Sequence, residues 1–129
     1  MTKTNHHVLA VDDNRMSRLK MTRALQSDYQ VTQAQGGQEA LTLLRSQPFH
    51  LVLLDIEMPD VDGFEVLRQM KEEPSLRDIP VIVVSGMEDT HSIERCLGMG
   101  AIDYIAKPID LAQLKARVDR HLGTGQWHE

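Results

Sequence analysis

Four apolar residues, Leu51–Leu54, run directly into Asp55, and turn-forming residues follow at Pro59 and Asp62-Gly63. A short run without any polar residue is typical of a strand that is buried on both faces, as in a parallel sheet covered by helices. In open sheets of this kind, ligands bind just beyond the carboxyl ends of the strands. The stretch therefore predicts a central buried strand that carries the carboxylate of Asp55 to a functional site.

The rest of the chain alternates between strand patterns and helical periodicity, with no linker or low-complexity tract in between. Strict alternation predicts an α/β fold, in which right-handed crossovers join a doubly wound parallel sheet of five strands to helices on both faces. The predicted strands are 6–11, 29–34, 51–55, 81–84 and 103–106, and the predicted helices are 14–26, 38–46, 63–71, 91–99 and 111–122.

Several residues are placed to begin or end these helices. Asn14 is expected to cap the first helix, and Asp110 with Gln113 forms a capping box for the last one. Gly100 is placed for a left-handed C-cap. The helical side chains expected to face the core are Met16, Leu19, Leu25, Ala40, Leu41, Leu44, Phe64, Leu67, Met70, Ile93, Cys96, Leu97, Leu111, Leu114, Val118 and Leu122.

Length and composition restrict the class of protein. The 129 residues are enough for one domain with a substantial core and too few for two ordinary domains. A formal net charge of −5 argues against direct nucleic-acid binding, which needs clustered Lys and Arg. No apolar run reaches the ~20 residues of a membrane span, and the amino terminus lacks the apolar core of a secretion signal.

The single cysteine, Cys96, excludes an internal disulfide and fits a reducing cytoplasm. We therefore expect one cytoplasmic domain over residues 1–129. Its core spans about 6–122, and 123–129 form a tail or the start of a linker. Whether the domain stands alone or comes from a longer protein is left open.

Polar residues follow four of the predicted strands, each at the carboxyl end. Asp12 and Asp13 follow the first strand, Asp55 the third, Ser85 the fourth and Lys107 the fifth. Three neighbouring carboxylates repel one another, and Mg²⁺, which prefers oxygen ligands, would relieve that repulsion. Carboxylates, a cation and a lysine together form a receptor for a phosphoryl group. Asp55 is central, so it is the candidate nucleophile that becomes an acyl phosphate.

Four motifs carry a resemblance to a known family: VDDN at 11–14, LLDIEMPDVDGFEVL at 53–67, PVIVVSG at 80–86 and GAIDYIAKPID at 100–110. Over about 8–122, the chain resembles the receiver domain of two-component response regulators, a family that includes the single-domain chemotaxis regulator. The resemblance implies a flavodoxin-like sheet in the order 2-1-3-4-5.

The resemblance also implies roles for the acidic residues and the lysine. Asp55 would accept a phosphoryl group from a sensor histidine kinase or a histidine phosphotransfer protein in a phosphorelay. Asp13, Asp55 and the backbone carbonyl of Glu57 would bind Mg²⁺ directly, and Asp12 would act through metal-bound water. Lys107 would pair with a phosphoryl oxygen.

Further roles concern switching. Ser85 would bond the phosphoryl group, and Tyr104 would turn inward when Ser85 moves. The Lys107-Pro108 bond resembles the family's cis peptide. Glu57 and Met87 occupy positions that vary in the family and help to set the lifetime of the phosphoryl group, although their sequence does not give the direction.

Partners are implied only in outline. The kinase would dock on the first helix, beside Arg15, Met16, Arg18 and Leu19. The face formed by helix four, strand five and helix five would change partner affinity, and homodimers form through it in the family. The segment 95–118 is similar to receivers that precede cyclase-type or cyclic-di-nucleotide output domains, but no output domain lies within these residues.

Two other functions compete with the phosphorylation switch. A Mg²⁺-dependent phosphatase of the haloacid-dehalogenase type uses similar groups, but its nucleophile follows the first strand and it generally carries a cap, for which 129 residues leave no room. An interaction module with this fold but without phosphorylation would lack the acceptor, an acid or the lysine. None of these is missing here, so we expect a signalling switch that catalyses only its own phosphorylation and dephosphorylation.

Overall fold

The computed structural model describes residues 6–86 and 90–122, so Met87 and the expected tail lie outside the described residues. Strands and helices alternate along the chain, as predicted. Their bounds are β1 His7–Val11, α1 Arg15–Leu25, β2 Gln30–Ala34, α2 Gly37–Ser46, β3 Leu51–Leu54, α3 Gly63–Glu72, β4 Val81–Ser85, α4 Thr90–Gly98, β5 Asp103–Ala106 and α5 Leu111–Leu122.

The five strands form one parallel sheet in the order β2-β1-β3-β4-β5, which confirms the predicted fold class. Val11 at the end of β1 pairs with Leu54 at the end of β3. The Asp55 backbone N–H extends this ladder by donating to the carbonyl oxygen of Val11 at 3.0 Å. The register therefore places the residues after β1 and β3 side by side.

Strand β3 is buried on both faces because the sheet separates two apolar cores. Val52 and Leu54 pack in the core beneath α2, α3 and α4, and Leu51 and Leu53 pack in the core beneath α1 and α5. Successive side chains of a strand point to opposite faces, so a strand with a core on each side needs apolar residues at every position. This explains why the run before Asp55 contains no polar residue.

Asn14 and Asp110 each accept a backbone hydrogen bond at the start of a helix, as predicted. The Asn14 side chain accepts from the N–H of Ser17 at 3.0 Å, and the Asp110 side chain accepts from the N–H of Gln113 at 3.0 Å. Gly100 has a φ of +110°, in the left-handed region that favours glycine. No helix in the described part of the chain is long and apolar enough to cross a membrane.

The core prediction is wrong for Met16, Leu97 and Leu111, whose side chains are largely exposed. Met16 is 60% exposed, because α1 turns the face carrying Met21, Ala24 and Leu25 toward the sheet. Leu97 is 44% exposed, because α4 inserts Cys96 into the core instead. Both helices keep the predicted periodicity, but the face that meets the sheet is rotated from the expected one.

Four other positions expected in the core are only half-buried: Leu19, Phe64, Ile93 and Leu122. Phe64 lies beneath the guanidinium of Arg95, which is 3.8 Å from the centroid of its ring. Leu111, at the start of α5, is largely exposed. These side chains lie at the margins of the two cores, where the sequence pattern alone does not distinguish a rim position from a central one.

Candidate functional site

Three carboxylates meet at the carboxyl ends of β1 and β3. One oxygen from each of Asp12, Asp13 and Asp55 lies within 4.8 Å of the others, and in the described ranges this is the one group of acidic, His or Cys residues that could hold a metal ion. Asp12 and Asp55 are buried, with 0% and 3% of their surface exposed, while Asp13 faces solvent. The predicted acidic cluster is thus present, with its open side at Asp13.

Lys107 reaches this cluster from the loop after β5. Its Nζ lies 2.7 Å from Oδ2 of Asp12 and 3.6 Å from Oδ2 of Asp55. Burial disfavours the charge of Lys107, but the hydrogen bond to Asp12 and the charge of Asp55 outweigh burial and raise the pKa of the ammonium. The Lys107-Pro108 peptide bond is cis. Lys107 is therefore a permanent cation held between the two buried carboxylates.

One lysine does not neutralise three carboxylates. Burial and the neighbouring charge of Asp12 raise the pKa of Asp55 to about 6, although Lys107 and the Glu57 N–H, which donates to Asp55 Oδ1 at 3.2 Å, favour the carboxylate. Asp13 adds further repulsion. The donors are all hard carboxylate oxygens on a partly open site, which is the ligand set that Mg²⁺ prefers. The residues present therefore fit the ion that the sequence predicts.

Ser85 ends β4, and Tyr104, which pairs with Val83 in the first half of β5, reaches it through its side chain. Ser85 is fully buried. The Tyr104 hydroxyl donates to the Ser85 carbonyl oxygen at 3.2 Å, and the Lys107 N–H donates to the same oxygen at 3.0 Å. Tyr104 also packs against the core beneath α2, α3 and α4. The Ser85 carbonyl thus links the Tyr104 side chain to the backbone of Lys107.

Arg18 is a residue of this site that sequence reasoning placed elsewhere. The sequence predicts it on the kinase-docking surface of α1, but it is buried, and its Nη1 donates to the backbone oxygen of Asp12 at 2.8 Å. Its Nε donates to the Gln33 side chain at 3.2 Å. Arg18 lies three positions before the buried Met21, and this helical spacing could have identified it as inward-facing.

The loop after Asp55 approaches the loop that follows β4. Glu57 is exposed, and a Cβ on Gly86 would lie 4.0 Å from its Oε1, so the Glu57 carboxylate reaches toward the loop that follows β4. On the β1 side, the N–H of Asn14 donates to Asp12 Oδ1 at 2.9 Å. The N–H groups of Asn14 and Glu57 thus each orient one buried carboxylate, Asp12 and Asp55 respectively.

Comparison with known sequences identifies relatives across nearly the whole chain. A model of the family "response regulator receiver domain" matches residues 8–119. Two-component response regulator ORR5 of Oryza sativa is 39% identical over 119 residues, which cover 88% of this chain and 89% of the relative. A probable cyclic di-GMP phosphodiesterase of Vibrio cholerae is 38% identical over 115 residues, which cover 89% of this chain but only 26% of that protein.

Solved structures agree with this assignment. A BeF3-activated DrrB receiver domain superposes with a TM-score of 0.85 at 31% identity, covering 93% of this chain and 99% of that one. The receiver domain of a signal transduction histidine kinase from Syntrophus aciditrophicus gives 0.83 at 31% identity and covers 96% and 95%. The phosphorylated cyanobacterial response regulator RcpA gives 0.84 at 28% identity and covers 95% and 98%.

The family match, the fold and the acidic site at the carboxyl ends of the strands agree with one another. The chain belongs to the response regulator receiver family of two-component signalling.

Proposed function

We propose that Asp55 is the phosphoacceptor of this receiver domain. Its donor is the phosphohistidine of a sensor histidine kinase or phosphotransfer protein: a carboxylate oxygen of Asp55 forms the new P–O bond as the P–N bond to the imidazole breaks. The observation that carries this proposal is the position of Asp55, buried among Asp12, Asp13 and Lys107 at the end of the central strand.

Asp12, Asp13 and Asp55, with the backbone carbonyl of Glu57, would hold Mg²⁺. The ion would supply the positive charge that the cluster lacks and that phosphoryl transfer requires. Lys107 is already aligned with Asp55 and is expected to pair with a phosphoryl oxygen. Beyond its own phosphorylation and dephosphorylation we assign the domain no enzymatic activity.

Ser85 and Tyr104 would transmit the modification. When the Ser85 hydroxyl bonds the phosphoryl group, its backbone contact with Tyr104 shifts, and the balance between two states of the α4-β5-α5 face changes. That face exposes Leu97, Ile102 and Leu111, which are apolar side chains at 40–44% exposure. We propose that it binds a downstream partner or a second copy of the chain.

The kinase would dock beside the acidic site on α1, where Arg15 and Met16 are exposed and Leu19 is half-buried. Arg18 is removed from this surface, because it points inward to Asp12. We propose a single cytoplasmic receiver domain with its core over about 6–122. Glu57 and Met87 remain the candidates for setting the phosphoryl lifetime.

The test is incubation with Mg²⁺ and acetyl phosphate, followed by intact-mass spectrometry. We expect one phosphoryl adduct on the wild type and none on Asp55→Asn. Asp28→Asn is the matched control, because Asp28 is also a buried aspartate paired with a lysine, at 2.6 Å from Lys115. It should be phosphorylated like the wild type.

Other results would overturn the proposal. An adduct that persists in Asp55→Asn would move the acceptor elsewhere. Turnover of phosphomonoesters without any adduct would indicate a phosphatase. If neither an adduct nor turnover forms with any donor, the domain is an interaction module.

A further inference from the structure

The N-cap position of helix α2 provides no side-chain hydrogen bond to the first N–H groups of the helix. The residue before it, Gly36, has no side chain to accept a hydrogen bond. Instead, the N–H groups of Gly37 and Gln38 donate to Oδ1 and Oδ2 of Asp60, both at 3.2 Å. Because the first N–H groups of a helix lack partners and carry partial positive charge, a carboxylate placed there is stabilising. The cap of α2 thus comes from the loop between β3 and α3.

The two segments meet too closely for ordinary side chains. A Cβ at Gly36 would lie 2.7 Å from Oδ2 of Asp60, and a Cβ at Gly37 would lie 2.1 Å from the backbone oxygen of Val61. The Gly-Gly pair therefore allows the loop to rest directly on the start of α2. Backbone N–H bonds outweigh the cost of burial and lower the pKa of Asp60, so it is a carboxylate at neutral pH.

The loop held in this way also carries the proposed site. Its first part is fixed near β3, where the Gly63 N–H donates to the Ile56 oxygen at 2.9 Å. Its tip is anchored by Met58, which is buried in the core, and by Asp60 on α2. Glu57 lies between the fixed base and the anchored tip.

We infer that Asp60 is a positioning residue for the Asp55 site, since it holds the loop tip on α2 and so fixes the backbone of Glu57. This rests on the proposed function, in which the Glu57 carbonyl binds Mg²⁺. Mg²⁺ demands near-ideal octahedral geometry, so a looser loop would have to be ordered when the ion binds, and affinity would fall.

Mg²⁺ titrations of the full chain, followed by amide NMR, test this inference. We expect Asp60→Ala to raise the Mg²⁺ dissociation constant roughly fivefold, in the range found for indirect coupling. Asp60→Asn keeps one acceptor oxygen, so its Mg²⁺ dissociation constant should lie between those of Asp60→Ala and the wild type. At low Mg²⁺, acetyl phosphate should phosphorylate Asp60→Ala more slowly than the wild type. At saturating Mg²⁺, the two rates should be similar.

Glu39→Ala is the matched control. Glu39 Oε1 accepts from the Gln35 N–H at 2.7 Å, so it also stabilises the start of α2, but it does so from within that helix. The variant weakens the same helix start and leaves the loop after Asp55 in place. Its Mg²⁺ affinity should stay close to that of the wild type, and urea unfolding will show how far each variant is destabilised.

The outcomes separate the two proposals. If the wild type fails to bind Mg²⁺, the proposed function is wrong. If the wild type binds Mg²⁺ and Asp60→Ala binds it equally well, the positioning role is wrong. Equal weakening in Asp60→Ala and Glu39→Ala would also overturn it, because the stability of α2 alone would then explain the effect.

Discussion

Two clusters in this domain each place a lysine between two aspartates. They differ in whether the lysine balances the negative charge around it. Lys107 lies between Asp12 and Asp55 at 2.7 and 3.6 Å. Lys115, on α5, lies between Asp28 and Asp119 at 2.6 and 2.8 Å. We call these the site cluster and the α5 cluster.

The α5 cluster is closed. The Tyr29 hydroxyl donates to Asp119 Oδ1 at 2.5 Å, and hydrogen bonds to Asp119 and Asp28 raise the pKa of Lys115 well above its usual range. These contacts tie the turn between α1 and β2 to α5. The paired groups satisfy one another, so the cluster acts as a structural link.

The site cluster is open. A third carboxylate, Asp13, stands beside it in solvent, and burial with the charge of Asp12 raises the pKa of Asp55 to about 6. Its negative charge exceeds what Lys107 can balance. The two clusters differ in charge balance rather than in the presence of a buried ion pair, and the unbalanced one is the cluster that we propose binds a cation and a phosphoryl group.

The largest contrast is expected from removing each lysine. Lys115→Met should lower the free energy of unfolding by about 2 kcal/mol, because buried Asp28 loses its ammonium partner, and Mg²⁺ should not restore it. Without metal, Lys107→Met should lower the free energy of unfolding by a similar amount. Saturating Mg²⁺ should restore most of this stability, because the cation replaces the lost charge. Urea denaturation with EDTA or Mg²⁺ measures both. Equal recovery of the two variants would contradict the distinction.

A second contrast concerns pH in the metal-free protein. The native pKa of Asp55, about 6, lies above its ordinary value of 3.8, so the folded state holds the extra proton between these values. Folding stability should therefore fall as pH rises from about 4 to about 6, by on the order of 2 kcal/mol.

Urea denaturation across this pH interval checks the prediction. Asp55→Asn should lack this decline, and Asp28→Asn should retain it, because Asp28 belongs to the α5 cluster. Saturating Mg²⁺ should suppress it in the wild type, since the ion favours the carboxylate. A decline of the same size in Asp55→Asn would assign the titration to another group.

The smallest effect has the opposite sign. Asp13→Asn should stabilise the metal-free protein by about 0.5 kcal/mol, because it removes repulsion from an exposed carboxylate beside Asp12 and Asp55. The same change should remove most of the stabilisation that Mg²⁺ gives to the wild type. Thermal unfolding with and without Mg²⁺ detects both effects. A destabilised metal-free variant would mean that Asp13 has a structural role.

Much of the site was predictable because its residues follow a rule of parallel sheets. Asp12, Asp55 and Lys107 follow strands and Ser85 ends one, and the carboxyl ends of parallel strands lie at one edge of the sheet. Once the strands are recognised, their ends must meet. The proximity of these residues, which are far apart in the chain, could therefore be predicted without knowledge of any side-chain contact.

Contacts between helices and loops were not predictable in this way. The pairing of Lys115 with Asp28 depends on how α1 packs against α5, and the pairing of Asp60 with Gly37 depends on how closely one loop rests on another. The burial of Arg18 and the exposure of Met16 depend on the rotation of α1 about its axis. Periodicity shows that a helix has an apolar face, but it does not show which residue of that face lies closest to the sheet.

The amino-acid sequence by itself determined the order of strands and helices, the doubly wound parallel sheet and the identity of the acids, hydroxyl and lysine at its edge, because these follow from local hydrophobic patterns. Only the tertiary structure decided which charges are balanced. It pairs Lys115 with two aspartates and leaves Asp55 among more carboxylates than Lys107 can neutralise. Charge balance depends on distance and burial, and both are set by packing between segments far apart in the chain.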